Sequence, residues 1–306
     1  MSGFAGKLLR RLRALLALPE LSRQANDELR LMIGTLHANS IGAKKGYRSL
    51  AETEFKVFSQ FGGDGIIQYL TRHLEMRHRT FVEFGVEDYM ESNTRFLLQN
   101  DNWSGFVMDG SGESMDRLRQ APLFWKHDLT AVAAFVTREN IRQLIADHTR
   151  DWKGLDLLHI DLDGNDYWIW EALEVAASIV IVEYNSAFGA ERALTIPYAA
   201  DFRRADAHFS HLYWGCSLKA LHRLAQAKGY AFIGCNSAGN NAYFVRRDLL
   251  NDAVAEVSLE EGYVRSKYRE SRDRKGNLTF LGAAAREQAL RGLPVFDVEL
   301  GKQVEF

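Results

Sequence analysis

Residues 155–166 read LDLLHIDLDGND, a leucine-rich run that changes abruptly into acids and a glycine. A short apolar run bounded by a turn signal predicts a buried strand, here over 155–162. Strand alternation would place His159, Asp161 and Asp163 on one face. Several acids at one strand end are costly to bury unless a basic group, a metal or hydrogen bonds hold them, so this strand end predicts a functional site. His159 itself is interpreted as a histidine satisfied within the sheet.

Similar apolar runs occur on both sides of this strand and alternate with helical segments. The predicted strands lie at 80–84, 105–109, 124–127, 155–162, 179–183, 230–234 and 242–245. The predicted helices lie at 51–61, 66–75, 93–100, 138–148, 167–176 and 217–228. Apolar strands separated by helices predict a parallel sheet covered on both faces, and the last two strands, joined without a helix, predict an antiparallel edge. The expected fold is α/β and Rossmann-like, with a mostly parallel seven-stranded sheet.

Two further segments flank this α/β region, which we place at residues 51–250. Residues 1–50 predict a helical N-terminal extension whose first helix ends at Pro19, and residues 251–306 form a C-terminal extension. The first 18 residues combine leucines at helical spacing with basic side chains and no acid. Two interpretations stay open: this segment packs on its own domain or on a partner subunit of a homo-oligomer, or it lies on an anionic membrane surface.

Bulk composition narrows the class of protein. The formal net charge is -2, which argues against a nucleic-acid partner bound through overall positive charge. Cys216 and Cys235 are too few for a disulfide framework or a cysteine zinc site. Arginines interrupt the N-terminal apolar run, where a secretory signal would be continuous. We therefore expect a cytoplasmic protein, with peripheral contact at the inner membrane face as the alternative.

Two strand ends predict a cofactor site, because ligands of open parallel sheets bind at the carboxyl ends of the strands. Gly85 follows the first predicted strand and Asp109 ends the second. A carboxylate at that position can accept two hydrogen bonds from a ribose diol. A loop with a single glycine does not fit a pyrophosphate, which needs close backbone approach, so a nucleoside cofactor without phosphate fits better. The alternatives are an ordinary turn at Gly85 and a solvated acid at Asp109.

The acceptor end of the site is predicted from Glu183, which ends the apolar strand 179–183, and from Asn185, which follows it. Both are expected to face the same crevice as Asp163. Asn185 could instead cap a turn. A later stretch is rich in histidine and aromatic residues and predicts either a lid over an acceptor or a packed loop; its members are His208, His211, Tyr213 and Trp214. The basic run at 265–275 is interpreted as a solvated helix face, with contact to an acidic acceptor as the alternative.

Several of these stretches resemble FkbM-like methyltransferases. Residues 58–66, FSQFGGDGI, resemble the SQ-x-GEDG segment of that family, and the cofactor-binding half is resembled by residues 81–85, 92–94, 102–105 and 109–110. Residues 160–167, IDLDGNDY, resemble the family's fourth-strand motif. They are also similar to macrocin O-methyltransferases, in which an aspartate-glycine pair serves a magnesium-dependent sugar methylation. The resemblance covers about residues 55–250.

This resemblance implies a class I methyltransferase fold and S-adenosylmethionine as cofactor. The implied cofactor-binding residues are Gln60, Asp64, Glu83, Gly85, Asn93, Asp109, Gly110, Asp128 and Asp161. Asp163 and Glu183 are the implied catalytic acids, or the ligands of a magnesium ion. The implied acceptor-binding residues are Asp166, Asn185, His211 and Tyr213. Gly63 departs from the family's glutamate, and Glu183-Tyr184 replaces two adjacent aspartates of the macrocin enzymes, so that a tyrosine stands at one of their ligand positions.

The leading hypothesis is therefore O-methylation of a hydroxyl on a sugar or polyketide-type acceptor, for example in polysaccharide biosynthesis. The first alternative is a metal-dependent glycosyltransferase, because Asp161-Leu162-Asp163 has the D-x-D form that holds a metal and a sugar nucleotide. The second is a non-catalytic scaffold that keeps the fold and uses its N-terminal helix for a partner or a membrane. The predicted partner is a small-molecule or saccharide acceptor.

Overall fold

The computed structural model describes the backbone of residues 2–306 and the side chains of residues 22–306. The helices are α1 (Ser2–Gly42), α2 (Gly63–His73), α3 (Arg95–Asp101), α4 (Gly112–Gln120), α5 (Pro122–Lys126), α6 (Ile141–His148), α7 (Asp166–Ala172), α8 (Arg204–Ala207), α9 (Leu218–Ala227), α10 (Leu259–Gly262) and α11 (Ala283–Leu290). The strands are β1 (Thr80–Phe84), β2 (Ser104–Asp109), β3 (Leu129–Ala133), β4 (Leu157–Ile160), β5 (Ile179–Glu183), β6 (Leu194–Thr195), β7 (Tyr230–Cys235), β8 (Asn241–Arg246), β9 (Pro294–Asp297) and β10 (Lys302–Glu305).

Within the described residues, seven of the strands form one sheet in the order β3-β2-β1-β4-β5-β8-β7. Strands β1 to β5 pair in parallel, whereas β8 is antiparallel to both β5 and β7. The antiparallel strand therefore lies one position in from the edge. This order and this single reversed strand confirm the predicted Rossmann-like sheet of the class I methyltransferase type.

The sheet is buried on both faces because helices cover each of them. Alternate residues of β5 enter two separate apolar clusters: Val180 and Val182 pack on one face, and Ile179 and Ile181 on the other. All five residues of β5 are buried, which explains its uninterrupted apolar sequence. Because the sheet interior is filled in this way, the space for a ligand lies at the strand ends.

Two predicted elements near the site were wrong. Residues 124–127 belong largely to helix α5 rather than to a strand, because Pro122 suits the first turn of a helix, and the third strand follows at Leu129–Ala133. Residues 51–61 contain only a 3₁₀ turn at Leu50–Thr53. The chain after this turn is organised by the Asp64 carboxylate, which accepts hydrogen bonds from three backbone amides of residues 57–59 and so competes with a helix.

Helix α1 runs through Pro19, where the sequence predicted its end. A proline inside a helix removes one hydrogen bond, and the helix continues past it here. The C-terminal half of α1 packs on the sheet domain, where Asp27 forms an ion pair with Arg95 at 2.7 Å. The side chains behind the proposed membrane contact at residues 1–18 lie outside the described residues, so that contact stays a prediction. No helix in the described part of the chain is long and apolar enough to cross a membrane.

The outer side of α1 exposes four large apolar residues, Leu29, Met32, Ile33 and Leu36. The proposed homo-oligomer stays a prediction. At the other end of the chain, β9 and β10 form a second antiparallel sheet with β6. Strand β6 precedes residue 250 and pairs with β9, which follows it. The proposed domain boundary at residue 250 stays a prediction.

Candidate active site

A cleft of about 910 Å³ opens at the carboxyl ends of β1, β2, β4 and β5. Predicted site residues that line it are Gln60, Gly85, Asp109, Gly110, Asp161, Asp163, Glu183 and His211. The parallel strand order brings these residues together from distant parts of the sequence. The cleft wall is rich in acids, because Glu87, Asp88, Glu91 and Glu270 add to the predicted carboxylates.

Gly85 allows the turn after β1 to approach β4 closely. Its φ is +71°, and a Cβ built at this position would lie 1.6 Å from the carbonyl oxygen of Asp161. A side chain here would therefore push apart the two turns that form the floor of the cleft. The close packing of these two turns therefore requires glycine at position 85.

Asp109 joins the loops after β1 and β2. Its Oδ2 accepts a hydrogen bond from the Glu87 amide at 2.8 Å, and its Oδ1 accepts one from the Ser111 amide at 2.7 Å. The side chain is partly exposed at the cleft wall. Each carboxylate oxygen keeps a further lone pair, so the fixed carboxylate can accept additional hydrogen bonds from a diol.

Glu83 and His159 form a fully buried pair behind the cleft. They are direct neighbours in the β1–β4 register, and His159 Nδ1 lies 2.7 Å from Glu83 Oε1. Glu83 also accepts hydrogen bonds from the hydroxyls of Ser92 and Thr94 and, at 3.0 Å, from the Asn93 amide. Burial opposes charge on both groups, but the pairing prevails: the pKa of Glu83 is lowered and the pKa of His159 is raised.

This pair places the segment 92–94 against the strand ends. Glu83 and Asn93, both predicted to bind the cofactor, do not line the cleft. The Asn93 side chain lies 3.4 Å from His159 Nε2, and its oxygen faces Gly63, where a Cβ would approach it to 2.2 Å. Gly63, the departure from the family pattern, is thus a point of close packing. Both predicted residues act in the described structure by holding a loop.

Asp161 and Glu183 form a carboxyl pair at the ends of the neighbouring strands β4 and β5, in which Glu183 is buried and Asp161 is partly exposed. The pKa of Asp161 is raised to about 7, because burial and the charges of Asp163 and Asp166 outweigh the lowering by His159 and by a hydrogen bond with Glu183. Burial, followed by the charge of Asp161, raises the pKa of Glu183 well above its ordinary value. The protonated form of Glu183 is therefore favoured, and Asp161 titrates near pH 7. Glu183 Oε2 has no hydrogen-bond partner among the described residues.

Asp163 does not continue the alternation that the sequence predicted. Strand β4 ends at Ile160, and Asp163 adopts a left-handed conformation with φ of 52°. Its side chain is 55% exposed and lies 2.6 Å from a guanidinium nitrogen of Arg204. Arg204 also donates to the backbone carbonyl of His211 at 2.8 Å and lies over the Trp214 ring at 5.0 Å. Asp163 thus forms an ion pair with Arg204 at the wall of the cleft that Glu183 also lines.

Four other predicted residues use their side chains within the fold. Asp64 binds the amides of residues 57–59, and Asp166 accepts hydrogen bonds from the amides of Leu162 and Gly164 at 2.7 and 3.0 Å. Asn185 donates to two carbonyls at 2.8 and 3.0 Å, and the Tyr213 hydroxyl donates to a carbonyl of β9. None of these four lines the cleft within the described residues, because buried loop backbone takes up their hydrogen bonds.

Two predicted residues remain, Asp128 and His211, and only His211 lines the cleft. Asp128 contributes its backbone carbonyl, which accepts from the Gly105 amide at 2.9 Å, and its side chain is not part of the cleft lining. His211 lines the cleft, and its φ of 57° marks a tight turn.

Sequence reasoning missed several wall residues, notably Phe135, Phe202, Arg204 and Glu270. Phe135 follows β3, and its position after a strand end was the available signal once β3 is correctly located. Glu270 belonged to the basic run that was interpreted as a helix face. That run is instead irregular, apart from a single bridge between Arg272 and Leu278. No local pattern pointed to Arg204 as a partner of Asp163.

The residues present do not fit a magnesium site. Among the described residues, no group of three or more histidine, cysteine, aspartate or glutamate side chains is arranged to hold a metal ion. Asp163, one of the two predicted ligands, already carries a guanidinium at 2.6 Å. Glu183, the other, is a buried carboxyl whose pKa is raised by burial and by Asp161, which disfavours the ionised form that a hard cation requires.

Comparison with known proteins gives partial similarities. No family model matches the chain, and no curated protein matches it. The structure of the pyocyanin biosynthetic protein PhzM shares 15% identity and a TM-score of 0.36, covering 60% of this chain and 54% of PhzM, about half its length. An O-methyltransferase from Bacillus cereus in complex with SAH shares 13% identity and a TM-score of 0.35, covering 55% and 72% of the two chains.

A third similar structure is the N-terminal domain of EvdMO1 with SAH bound. It shares 10% identity and a TM-score of 0.34, covering 54% of this chain and 72% of that one. All three TM-scores lie below 0.5, so these similarities are too partial to assign an activity to the present chain.

Proposed function

We propose that this protein is an S-adenosylmethionine-dependent O-methyltransferase that acts on a hydroxyl of a sugar or polyketide-type acceptor. The observation that carries the proposal is the meeting of Asp109 with the Asp161–Glu183 pair in one cleft, at the strand ends of a class I methyltransferase-type sheet. Asp109 provides a fixed acceptor for a diol, and the acid pair provides a group that exchanges a proton near neutral pH.

The cleft residues fit a cationic nucleoside cofactor. Asp109 would hold the ribose hydroxyls, and the loops at Glu87 and Ser111 would flank the nucleoside. The acidic wall favours positive charge in the cleft, since carboxylates in a partly dry site stabilise a nearby cation. S-adenosylmethionine, when bound, supplies a methyl group activated by a positively charged sulfur.

Asp161 is the candidate base. Its pKa of about 7 allows it to be ionised in part of the population at neutral pH and still to accept a proton from a hydroxyl. Glu183, whose raised pKa favours its protonated form, supports the Asp161 carboxylate through their hydrogen bond. The chain's residues therefore position a hydroxyl and remove its proton, which are the contributions that methyl transfer to oxygen requires of the protein. Asp163, paired with Arg204, shapes the acceptor side of the cleft.

A hydroxyl-rich acceptor is supported by the wall chemistry. Carboxylates accept hydrogen bonds from hydroxyl groups, and Phe135 and Phe202 offer apolar faces next to them. An FkbM-like relationship, a role in polysaccharide biosynthesis and a cytoplasmic location are parts of this proposal.

Calorimetry with a panel of ligands tests the proposal directly. We expect saturable binding of S-adenosylmethionine and S-adenosylhomocysteine and no binding of NAD or UDP-glucose. Binding of UDP-glucose without binding of S-adenosylhomocysteine would overturn the proposal in favour of a glycosyltransferase that uses Asp161-Leu162-Asp163. A folded protein that binds none of the four ligands would support a non-catalytic scaffold.

A further inference from the structure

Three exposed phenylalanine rings each have an arginine guanidinium over the ring. Arg203 lies over Phe135 at 5.5 Å, Arg274 over Phe209 at 4.6 Å, and Arg269 over Phe280 at 6.0 Å. The rings are 42%, 38% and 55% exposed in the same order. Large apolar side chains exposed to this extent with a cation over the ring mark a surface suited to a ligand. We call this set of three pairs the arginine–aromatic surface.

The arginine–aromatic surface is continuous with the cleft. Phe135 itself lines the cleft, Arg203 precedes the cleft residue Arg204, and Arg269 precedes the cleft residue Glu270. The pair of Arg274 and Phe209 is joined to this region through the backbone, because the Arg272 amide donates a hydrogen bond to the Ser210 carbonyl at 3.1 Å. A chain-like ligand leaving the cleft would therefore meet these pairs next.

The three arginines carry positive charge that the protein does not neutralise locally. Arg203, Arg269 and Arg274 form no ion pair within the described part of the chain, although many arginines elsewhere do. The segment 265–275 has six basic and two acidic residues, a surplus of four positive charges on a chain whose formal net charge is -2. The surface is thus basic while the cleft wall beside it is acidic.

We propose that the arginine–aromatic surface binds an anionic oligosaccharide whose terminal hydroxyl enters the cleft. Sugar rings pack their C–H faces on exposed aromatic rings, and arginine binds carboxylates through paired hydrogen bonds. This inference rests on the proposed function and narrows its acceptor class to a sugar chain that bears carboxylates along its length.

Charge favours a sugar chain over a single-stranded nucleic acid, which also binds basic and aromatic surfaces. A nucleic acid carries a phosphate at every residue, so its reacting end would bring negative charge into a wall that already holds Glu87, Glu91, Asp163 and Glu270. An oligosaccharide can place an uncharged hydroxyl there and keep its nearest carboxylate outside.

Binding of three probes tests the inference: hexagalacturonate, the neutral maltohexaose, and an oligothymidylate of matched charge. We expect hexagalacturonate to bind best, with an affinity that falls as salt is raised. The double variants Arg269→Ala/Arg274→Ala and Phe209→Ala/Phe280→Ala should each weaken it by about tenfold or more. Trp125→Ala is the matched control, because Lys126 lies over that 75% exposed ring at 5.6 Å, next to the amino end of β3 and away from the cleft.

Equal binding of maltohexaose, tighter binding of the oligothymidylate, or unchanged affinity in both double variants would overturn the inference. Calorimetry with S-adenosylhomocysteine on the same samples separates its failure from that of the proposed function. Normal cofactor binding without hexagalacturonate binding refutes only this surface. Hexagalacturonate binding without any cofactor affinity refutes the methyltransferase and leaves a carbohydrate-binding surface.

Discussion

His159 Nδ1 and Glu83 Oε1 lie 2.7 Å apart across two neighbouring parallel strands, and both side chains are buried. The pair stands at the level where β1 and β4 end, and Glu83 holds the segment 92–94 through four further donors, the hydroxyls of Ser92 and Thr94 and the amides of Asn93 and Thr94. A buried pair of this kind is costly to break, because the remaining charge has no partner.

Glu83→Gln should therefore lower the free energy of unfolding by roughly 3–5 kcal/mol. The lowered pKa of Glu83 adds stability above about pH 4.5, which is lost as the pH falls through its folded value. The raised pKa of His159 adds stability below about pH 6.5, which is lost as the pH rises through its folded value. The effect should be largest between these limits, and urea denaturation there measures it.

Glu75→Gln is the control for this measurement, since Glu75 forms an ion pair with Arg77 while its side chain is 65% exposed. That variant should unfold almost as the unchanged protein does. An equally small effect of Glu83→Gln would show that the buried pair contributes no stability.

Asp109→Ala tests the cofactor placement. Loss of this carboxylate removes the acceptor for the ribose hydroxyls and should weaken S-adenosylhomocysteine binding by roughly 1–3 kcal/mol. The comparison variant is Glu113→Ala, whose side chain is 83% exposed on α4. Unchanged affinity in a folded Asp109→Ala protein would refute the placement. A second readout is needed, because Asp109 also binds two loop amides; the thermal melting temperature reports whether those loops have loosened.

The sequence could predict which strand ends meet, because parallel strands deliver their carboxyl ends to one edge of the sheet. Gly85, Asp109, Asp161 and Glu183 were found in this way, and all four line the cleft. The same reasoning could not tell a carboxylate that faces a cleft from one that satisfies buried backbone. Asp166 has the second role, since two amides of its own turn bind its side chain.

Local sequence patterns could not identify the site residues that come from distant parts of the chain. Arg204 follows the sheet's fifth strand by some distance, and Glu270 comes from the C-terminal extension, yet their side chains meet at 3.5 Å beside Asp163. The turn at Asp163 was also unpredictable by alternation, because alternation assumes that the strand continues. A positive φ at that residue redirected its side chain to Arg204.

The identity of the base can be decided by a pair of isosteric variants. Asp161→Asn removes the group that titrates at about pH 7 and should lower turnover by about 10²–10⁴-fold. Glu183→Gln replaces a carboxyl whose raised pKa favours its protonated form, so it should keep turnover within about tenfold. A base must be deprotonated, so the rate of the unchanged protein should rise with pH and level off above about 7. Asp161→Asn should lose this rise and Glu183→Gln should keep it.

The opposite result, with loss of turnover in Glu183→Gln and not in Asp161→Asn, would make Glu183 the base. Stability gives an independent check on Asp161. Its folded pKa is raised, so ionisation opposes folding as the pH rises toward 7, and Asp161→Asn should stabilise the protein above that pH by roughly 1–3 kcal/mol.

Asp163→Asn, combined with chelator treatment, tests whether a metal or this second acid takes part. The Asp163 side chain is half-exposed and paired with Arg204, and such a pair contributes roughly 0–1 kcal/mol. The asparagine keeps an oxygen that can accept the guanidinium hydrogen bond, so turnover should fall by less than about tenfold, far less than in Asp161→Asn. Treatment with EDTA should leave turnover of the unchanged protein intact, because Arg204 supplies the positive charge at this position.

A loss of about a hundredfold in Asp163→Asn with normal cofactor binding would make Asp163 the base, as the sequence alone suggested. Inhibition by EDTA that magnesium reverses would instead assign the acids of this wall to a metal.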